Sequence, residues 1–368
     1  MKKKVCMFFN DLALYRRTIY KMLDNAYDCE WYIEDVDTKV KLFDKSELKC
    51  VCKLRIKSFG RFYWTSGLIK LLKKDYEIFF MLGATGNVTL FLFCLLKKIL
   101  YPSKRVYLWT HGYYGKESWI EKTFWKKPML KMADGVFTYG DYAKKLMILD
   151  GFNQDKLYPI HNSLDYDEQL KIRKQISAKS IFKDHFGNEN PVIIFIGRLT
   201  PVKKLDMLID ALNILKIKGE SYNLVFIGDG EEKEKLLGMV ERYNLQKQVW
   251  FFGECYSEQT NAELIYNANL CVAPGNIGLT AMHVLMFGCP AISHNKFSMQ
   301  MPEFESIKPG VTGDFFEYGK VDSLANTIGN WLMNNKDNRE TIRQNCYKEI
   351  DNNWNPYYQM EVVKEHLL

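Results

Sequence analysis

This sequence predicts two doubly wound α/β domains, and three observations carry the prediction. Short unbroken apolar runs recur along the chain, and they alternate with segments of helical periodicity. The 368 residues leave room for two such units at roughly 150 residues per domain. An apolar run without alternation marks a strand covered on both faces, which is the habit of parallel sheets. Strand–helix alternation then implies right-handed crossovers within one sheet.

Taken in chain order, the amino-terminal half shows this grammar faintly. Lys4–Phe9, Tyr76–Leu82, Arg105–Thr110, Gly135–Tyr139 and Leu157–His161 read as strands. Ile78 to Leu96 carries no charge over 19 residues, but Gly83, Gly86, Asn87 and Thr89 divide it into strand, turn and helix start. That division predicts a buried strand–loop–helix rather than a membrane span. Asp165 to Asn190 is polar and charged and predicts a linker. The carboxy-terminal half is plainer. The run from Val192 ends at Gly197, and Leu205, Leu208, Ile209, Leu212 and Leu215 then share one helical face. Strands at Asn223–Ile227, Val249–Gly253, Leu270–Pro274 and Pro290–His294 follow, with helices over 231–243, 258–267 and 279–287 between them. The predicted domains are 1–170 and 171–349. Residues 350–368, apolar at Trp354, Tyr357, Tyr358, Val362 and Val363, are expected to pack back across them.

Hydrophobic residues at 47% and charged residues at 26% exclude a disordered chain. Basic side chains number 51 and acidic ones 44, but residues 1–165 hold 29 and 18 while the rest hold 22 and 26. The basic half suits anionic lipid, a phosphorylated ligand or nucleic acid, or it is only a solvated surface. Nine cysteines lack metal-site spacing; Cys50 and Cys52 are one residue too close for a CxxC pair. Cys6, Cys94, Cys271 and Cys289 lie in apolar runs, so the cysteines read as reduced thiols of a cytoplasmic protein. The start resembles a signal peptide, but its apolar run stops at Asn10-Asp11, too short for an h-region.

Ligands of open parallel sheets bind beyond the carboxyl ends of the strands. That singles out His111, Gly197-Arg198, Gly228-Asp229-Gly230, Gly253, Pro274-Gly275-Asn276 and His294, with a cleft between the domains as the expected site. Arg198 offers a planar fork and Lys203 a compact charge, which together suit a diphosphate. Gly275-Asn276-Ile277-Gly278-Leu279-Thr280 runs from a strand end into a helix. Its glycines are expected to let the backbone approach a ligand, and its N–H groups to attract an anion.

Five segments, FIGRLTPVKKLDMLIDAL, LVFIGDGEEKEKL, VWFFGECYSEQTNAELIYNANLCVAP, ADGVFTYGDYAKKLMILDGFNQDKLYPIHNSLD and WTHGYYGKES, together carry a resemblance. The chain from about Ala133 to Gly313 resembles the retaining glycosyltransferases of family 4, of the bacterial polysaccharide and lipopolysaccharide assembly type. The resemblance implies the GT-B fold: two Rossmann-like domains facing a central cleft, the first for the acceptor and the second for the donor. It implies transfer from a UDP- or GDP-linked sugar, with no cofactor and no obligatory metal. Arg198 and Lys203 fall where the departing diphosphate is neutralised, and His111 where a loop histidine faces the transferring sugar; the alternative for His111 is a cap of the Thr110–Gly112 turn. Gly197, Gly228, Asp229 and Gly230 fall on the nucleotide side, and Gly275, Asn276, Gly278, Leu279 and Thr280 on the cradle. Glu303 matches a position that meets the donor sugar or the loop backbone, or else caps a helix.

The departures are specific. Two glutamates that the family carries eight positions apart read Gly275 and His283 here, so His283 either holds the ribose in another way or is a core residue. A glycine pair before Pro302-Glu303 reads Met299-Gln300, and the amino-terminal glycine loop reads Phe9-Asn10-Asp11-Leu12. For the acceptor, Lys97, Lys98, Lys104, Arg105, Lys122, Lys126, Lys127 and Lys131 interleave with Leu95, Ile99, Leu100, Phe124, Trp125 and Met129. This mixture predicts contact with an anionic membrane surface, a glycan or lipid-diphosphate-linked acceptor, and a peripheral place on the inner face of the membrane. The lost glutamates leave a second reading, a catalytically silent partner subunit that binds nucleotide or sugar. A nicotinamide oxidoreductase is disfavoured because no G-x-G-x-x-G follows a strand, and nucleic-acid binding because no recognised module is present.

Overall fold

The computed structural model describes residues 4–34, 41–119 and 122–367; the first three residues of the signal-like stretch and the last of the carboxy-terminal segment lie outside them. The chain divides into two compact units, Met1–Tyr166 with Asn355–Leu368, and Asp167–Trp354. The stretch read as a linker holds helices at Tyr166–Gln175 and Ile181–Phe186.

In the amino-terminal unit the strands are β1 (Lys4–Phe9), β2 (Asp28–Glu34), β3 (Val51–Leu54), β4 (Ile56–Phe59), β5 (Phe62–Thr65), β6 (Ile78–Leu82), β7 (Arg105–Thr110), β8 (Gly135–Thr138) and β9 (Leu157–Pro159). Seven of them form a parallel sheet in the order β3-β2-β1-β6-β7-β8-β9, and β4 and β5 form a separate antiparallel hairpin. Strand β1 explains why its sequence has no polar alternation. Val5, Met7 and Phe9 enter one core, with Trp31, Phe80 and Trp109, while Cys6 and Phe8 enter the other, with Phe79, Met81 and Phe93. Both faces are covered, so both sets must be apolar. The helix Pro356–His366 completes the first of these cores with Met360 and Val363.

The carboxy-terminal unit has β10 (Val192–Ile196), β11 (Asn223–Ile227), β12 (Val249–Gly253), β13 (Leu270–Ala273), β14 (Ala291–His294) and β15 (Gly313–Phe316). All six are parallel, in the order β12-β11-β10-β13-β14-β15. Strand order reverses between β10 and β13 here, and between β1 and β6 in the other unit. Such switch points open a crevice at the carboxyl ends of the strands.

The expected doubly wound architecture is what the chain adopts, and Ile78–Leu100 is a strand, a turn and a helix, Val88–Leu100. Among the described residues no helix is long and apolar enough to cross a membrane. All nine cysteines are free. Strands β2, β3 and β15 and the β4–β5 hairpin were not legible. Asp28, Glu30, Lys53 and Asp314 interrupt their apolar runs, and these strands carry exposed or half-buried positions that tolerate charge.

Candidate functional site

The β10/β13 switch sets the 197–204 loop beside the 274–279 loop, and main chain binds them. Gly275 N–H donates to Lys203 O at 2.9 Å, and Lys203 Nζ donates to Asn276 O at 2.6 Å. On the other side, Gly197 N–H donates to Ile227 O and Leu199 N–H to Asp229 O, both at 2.9 Å. Gly228 N–H donates to Gly253 O at 2.8 Å, closing the row to the end of β12.

This packing gives the glycines a structural reason of their own. A Cβ on Gly275 would lie 2.1 Å from Val202 O and 2.7 Å from Lys203 Cα, so the neighbouring loop demands glycine there. At Gly228 a Cβ would lie 2.1 Å from Gly197 O, for the same reason. The expected N–H donors change as well. Those of Gly275 and Ile277 are taken, the second by Gln300 Oε1 at 3.1 Å. Those of Gly278 and Leu279 have no partner among the described residues. Thr280 Oγ1 donates to Ile196 O at 3.2 Å, pinning the start of the helix Thr280–Met286 to β10.

Gln300, read in the sequence only as a departure, is a buried clamp. Its Nε2 donates to Ser293 Oγ at 2.8 Å and to His294 O at 3.2 Å, while Ser293 Oγ donates to Ala273 O at 2.9 Å. Glutamine at this position carries no sequence signal of that role.

Two cations stand on this frame. Arg198 is exposed and makes no ion pair among the described residues. Lys203 is half-buried; burial, with Arg198 nearby, holds its pKa below the ordinary lysine value. Asn276 Oδ1 is buried with no hydrogen-bond partner among the described residues. Asp229 is engaged: Lys233 at 2.9 Å and the Gly230 N–H at 2.7 Å hold its carboxyl below the usual range. Glu303 lies buried on the turn Pro302–Ser306, whose Ser306 Oγ donates to its carbonyl.

His283 is also engaged. Its Nε2 lies 3.0 Å from Glu258 Oε1, which accepts from Gln169 Nε2 at 2.8 Å as well. Burial is the largest single influence on the Glu258 carboxyl and raises its pKa, but the interaction with His283 and these bonds together outweigh it and hold the pKa below its usual value. Glu258 was not foreseen, because only the packing of the helix Glu258–Asn267 brings it to position 283.

His111 belongs to the other unit, just after β7. Its ring lies 4.5 Å from that of Tyr139 and 5.7 Å from that of Tyr114. Burial first, then the charges of Arg16 and Lys126, push its pKa down to about 4, so the imidazole is neutral at pH 7. It does not cap the turn, because Thr110 Oγ1 accepts from Gly112 N–H at 3.4 Å. The ring makes no hydrogen bond among the described residues.

Half of the eight cations in the basic stretch of the amino-terminal unit are paired with acids. Lys97 pairs with Asp134 at 2.5 Å, Lys126 with Glu117 at 2.8 Å, and Lys122 and Lys127 with Asp150 at 3.1 and 3.2 Å. Met129 is buried, and Trp125 stacks on Phe91 at 4.6 Å. Ile99, Leu100, Trp119 and Phe124 remain exposed. A basic feature missed in the sequence is residues 49–74, with eight cations and no acidic residue. They include the hairpin, where Arg55, Lys57, Phe59 and Arg61 are exposed.

Known proteins resemble this chain in sequence and in fold. Residues 177–349 match the model of the family described as glycosyl transferases group 1, so a domain of that kind fills most of the carboxy-terminal unit. An uncharacterised glycosyltransferase of Methanocaldococcus jannaschii is 30% identical over 64% of this chain and 61% of its own length. The poly(ribitol-phosphate) α-N-acetylglucosaminyltransferase of Staphylococcus aureus is 23% identical over 50% of this chain and 34% of its own. The chain thus spans less than two thirds of the length of these curated relatives. The crystal structure of HepE from Anabaena in complex with UDP superposes with a TM-score of 0.72 at 17% identity, covering 99% of each chain. Its fold is therefore that of the GT-B glycosyltransferases.

Proposed function

We propose that this chain is a retaining glycosyltransferase that moves a sugar from a nucleoside-diphosphate donor to a glycan or lipid-linked acceptor in surface-polysaccharide assembly. The observation that carries the reading is the cation pair at the β10/β13 switch. Arg198 has no acid partner among the described residues, and Lys203 is fixed by Asn276 O. The bond that breaks lies between the sugar carbon and the diphosphate oxygen, so negative charge grows on the diphosphate as the sugar leaves. Fixed cations favour that state over the bound donor, at about 1.5–3 kcal/mol for each charge-assisted hydrogen bond. The buried Asn276 Oδ1 suits a sugar hydroxyl. The neutral His111 ring suits a hydroxyl too, and does not add to the positive charge. With two side-chain cations on the diphosphate, the proposal needs no metal. HepE, which shares the fold, is described in complex with UDP, and the staphylococcal relative acts on a poly(ribitol-phosphate), which supports a uridine donor and a surface-polymer acceptor.

The test is turnover. Purified full-length protein is offered UDP-glucose, UDP-N-acetylglucosamine and GDP-mannose with a mixed glycan acceptor pool, and nucleoside diphosphate release is followed. One donor is expected to be consumed, at the same rate in EDTA and at least a hundredfold more slowly in Arg198→Ala. Proton couplings of the product report whether the anomeric configuration is kept. The silent-partner reading draws on one observation: position 275 has no space for the missing carboxylate. Binding of UDP without consumption of any donor would decide for it. A lipid-linked acceptor predicts flotation with anionic liposomes, carried by the exposed hairpin cations and by Trp119 and Phe124. Absence of flotation at low salt would remove the membrane part of the proposal.

A further inference from the structure

We infer that Arg16 is an anion-recognising residue of the amino-terminal unit, and that the acceptor received there carries a phosphate or a carboxylate. The second half of this inference rests on the proposed transfer reaction; the anion site itself does not.

Arg16 ends the loop that follows β1, at the switch point of the amino-terminal sheet. Its Nη1 donates to Tyr139 Oη at 2.7 Å and its Nε to Asn162 Oδ1 at 3.2 Å. The guanidinium carbon lies 4.9 Å from the centre of the Tyr139 ring and 5.6 Å from that of Trp109. Every one of these partners is neutral. The next residue shows the ordinary arrangement: Arg17 Nε meets Asp165 Oδ1 at 3.1 Å. Arg16 makes no ion pair among the described residues, and its Nη2 donates to none of them.

A cation partly withdrawn from water without a counter-charge is costly, so its retention calls for a ligand or a structural return. The structural return here is small, because the tyrosine and asparagine do not need a charge to be satisfied. The support behind them is rigid. Asn162 Oδ1 also accepts from Ser163 N–H, Ser163 Oγ donates to Gln359 Oε1, and Gln359 Nε2 donates to His161 O, all of these residues being buried. The guanidinium is thus held in place before any ligand arrives. The residues around it come from the ends of β1, β7, β8 and β9, the end of a parallel sheet where ligands bind. His111 adds no competing charge, since it is neutral. A planar fork with free N–H groups matches two oxygens of one phosphate or carboxylate. A neutral sugar would leave the charge unanswered.

The experiment uses the full chain carrying Arg198→Ala, which silences the donor cradle. Glucose 1-phosphate and glucuronate are titrated calorimetrically at constant ionic strength, alone and with Arg16→Gln, Arg16→Lys or Arg17→Gln added. One anion or both should bind, with affinity at least tenfold weaker with Arg16→Gln, less weakened with Arg16→Lys, and unchanged with Arg17→Gln. A response to glucose 1-phosphate alone assigns a phosphate-bearing acceptor; a response to glucuronate alone assigns a uronic acid. Equal binding with and without Arg16→Gln, or no binding of either anion, overturns the inference. Arg16→Lys keeps the test valid should Arg16→Gln fail to fold. UDP titrated into Arg16→Gln with Arg198 restored should bind as in the wild type. If UDP binds neither protein while the sugar anions still answer to Arg16, the donor reading falls and the anion site stands.

Discussion

The two units build loops at the carboxyl ends of a parallel sheet by opposite means. In the carboxy-terminal unit main chain packs on main chain, Gly275 against Val202 and Gly228 against Gly197, and the cations Arg198 and Lys203 are carried on that frame. In the amino-terminal unit side chains hold side chains. Asn87 joins Glu34 and Thr65, Arg16 joins Tyr139 and Asn162, and His111 lies beside Tyr114 and Tyr139. A loop fixed by its backbone has one shape and needs glycine at set positions. A loop fixed by side chains can be retuned by a few substitutions. On the proposed reading, the first suits a constant nucleoside diphosphate and the second a changing acceptor.

The comparison breaks most visibly at Gly275. Placing at 275 the glutamate that the family resemblance implies, Gly275→Glu, drives a Cβ into the Val202 carbonyl. The expected cost is at least about 3 kcal/mol, read by denaturant melts, together with loss of any UDP response. A Gly275→Glu protein of wild-type stability would show that the loops are not locked as described.

The matching test in the amino-terminal unit is Asn87→Ala. Asn87 is fully buried, caps the helix Val88–Leu100 through Leu90 N–H at 3.1 Å, and donates to Glu34 Oε1 at 2.9 Å. Losing the cap and exposing Glu34 to an unmet need should cost about 2–3 kcal/mol. Burial already raises the Glu34 pKa, so the ionised carboxylate is a burden that grows as pH rises through its folded value. The Asn87→Ala deficit should therefore shrink on acidification from pH 7 to 5.

A smaller effect is expected at His283. Replacing it with glutamate puts a carboxylate against Glu258, whose Oε1 now sits 3.0 Å from the imidazole. Like-charge repulsion should cost about 1–2 kcal/mol and be relieved by Glu258→Gln in the same chain. Stability of His283→Glu equal to that of the wild type would mean that the pair is not electrostatic.

The smallest expected effect is the pH response of His111. Its folded pKa of about 4 lies below the ordinary value, so between the two the unfolded chain binds a proton that the folded one does not. Stability is then full above the unfolded pKa and falls as pH drops, by on the order of 1 kcal/mol between roughly pH 6.5 and 5.5. His111→Gln should flatten that limb; His294, also near 4, should do the same for the other unit.

Legibility in the sequence follows the same division. Strands β10 and β13 are apolar throughout, and β11 is apolar after Asn223, so their runs announced them. Strand β2 spells DCEWYIE, and its charges hid it. Arg198 and Lys203 stood out because they sit in a short loop after a buried strand. Gly275 stood out as a glycine, but its packing reason was not legible, because that reason is a loop distant in sequence. Arg16 and Glu258 gave no local signal, since each acquires its role from partners 25 or more residues away, and Gln300 takes its role from partners 6, 7 and 23 residues away that the fold gathers round it. Side-chain frames are written in long-range contacts, and backbone frames in local glycines.

The central claim is that the cation pair at the β10/β13 switch binds a nucleoside diphosphate. Calorimetric titration of UDP and GDP into the wild type and Arg198→Ala tests it most directly. One nucleotide should bind the wild type and bind the variant roughly ten- to a hundredfold more weakly, the equivalent of one charge-assisted contact. Equal affinity in the two proteins, or no binding to either, would contradict it.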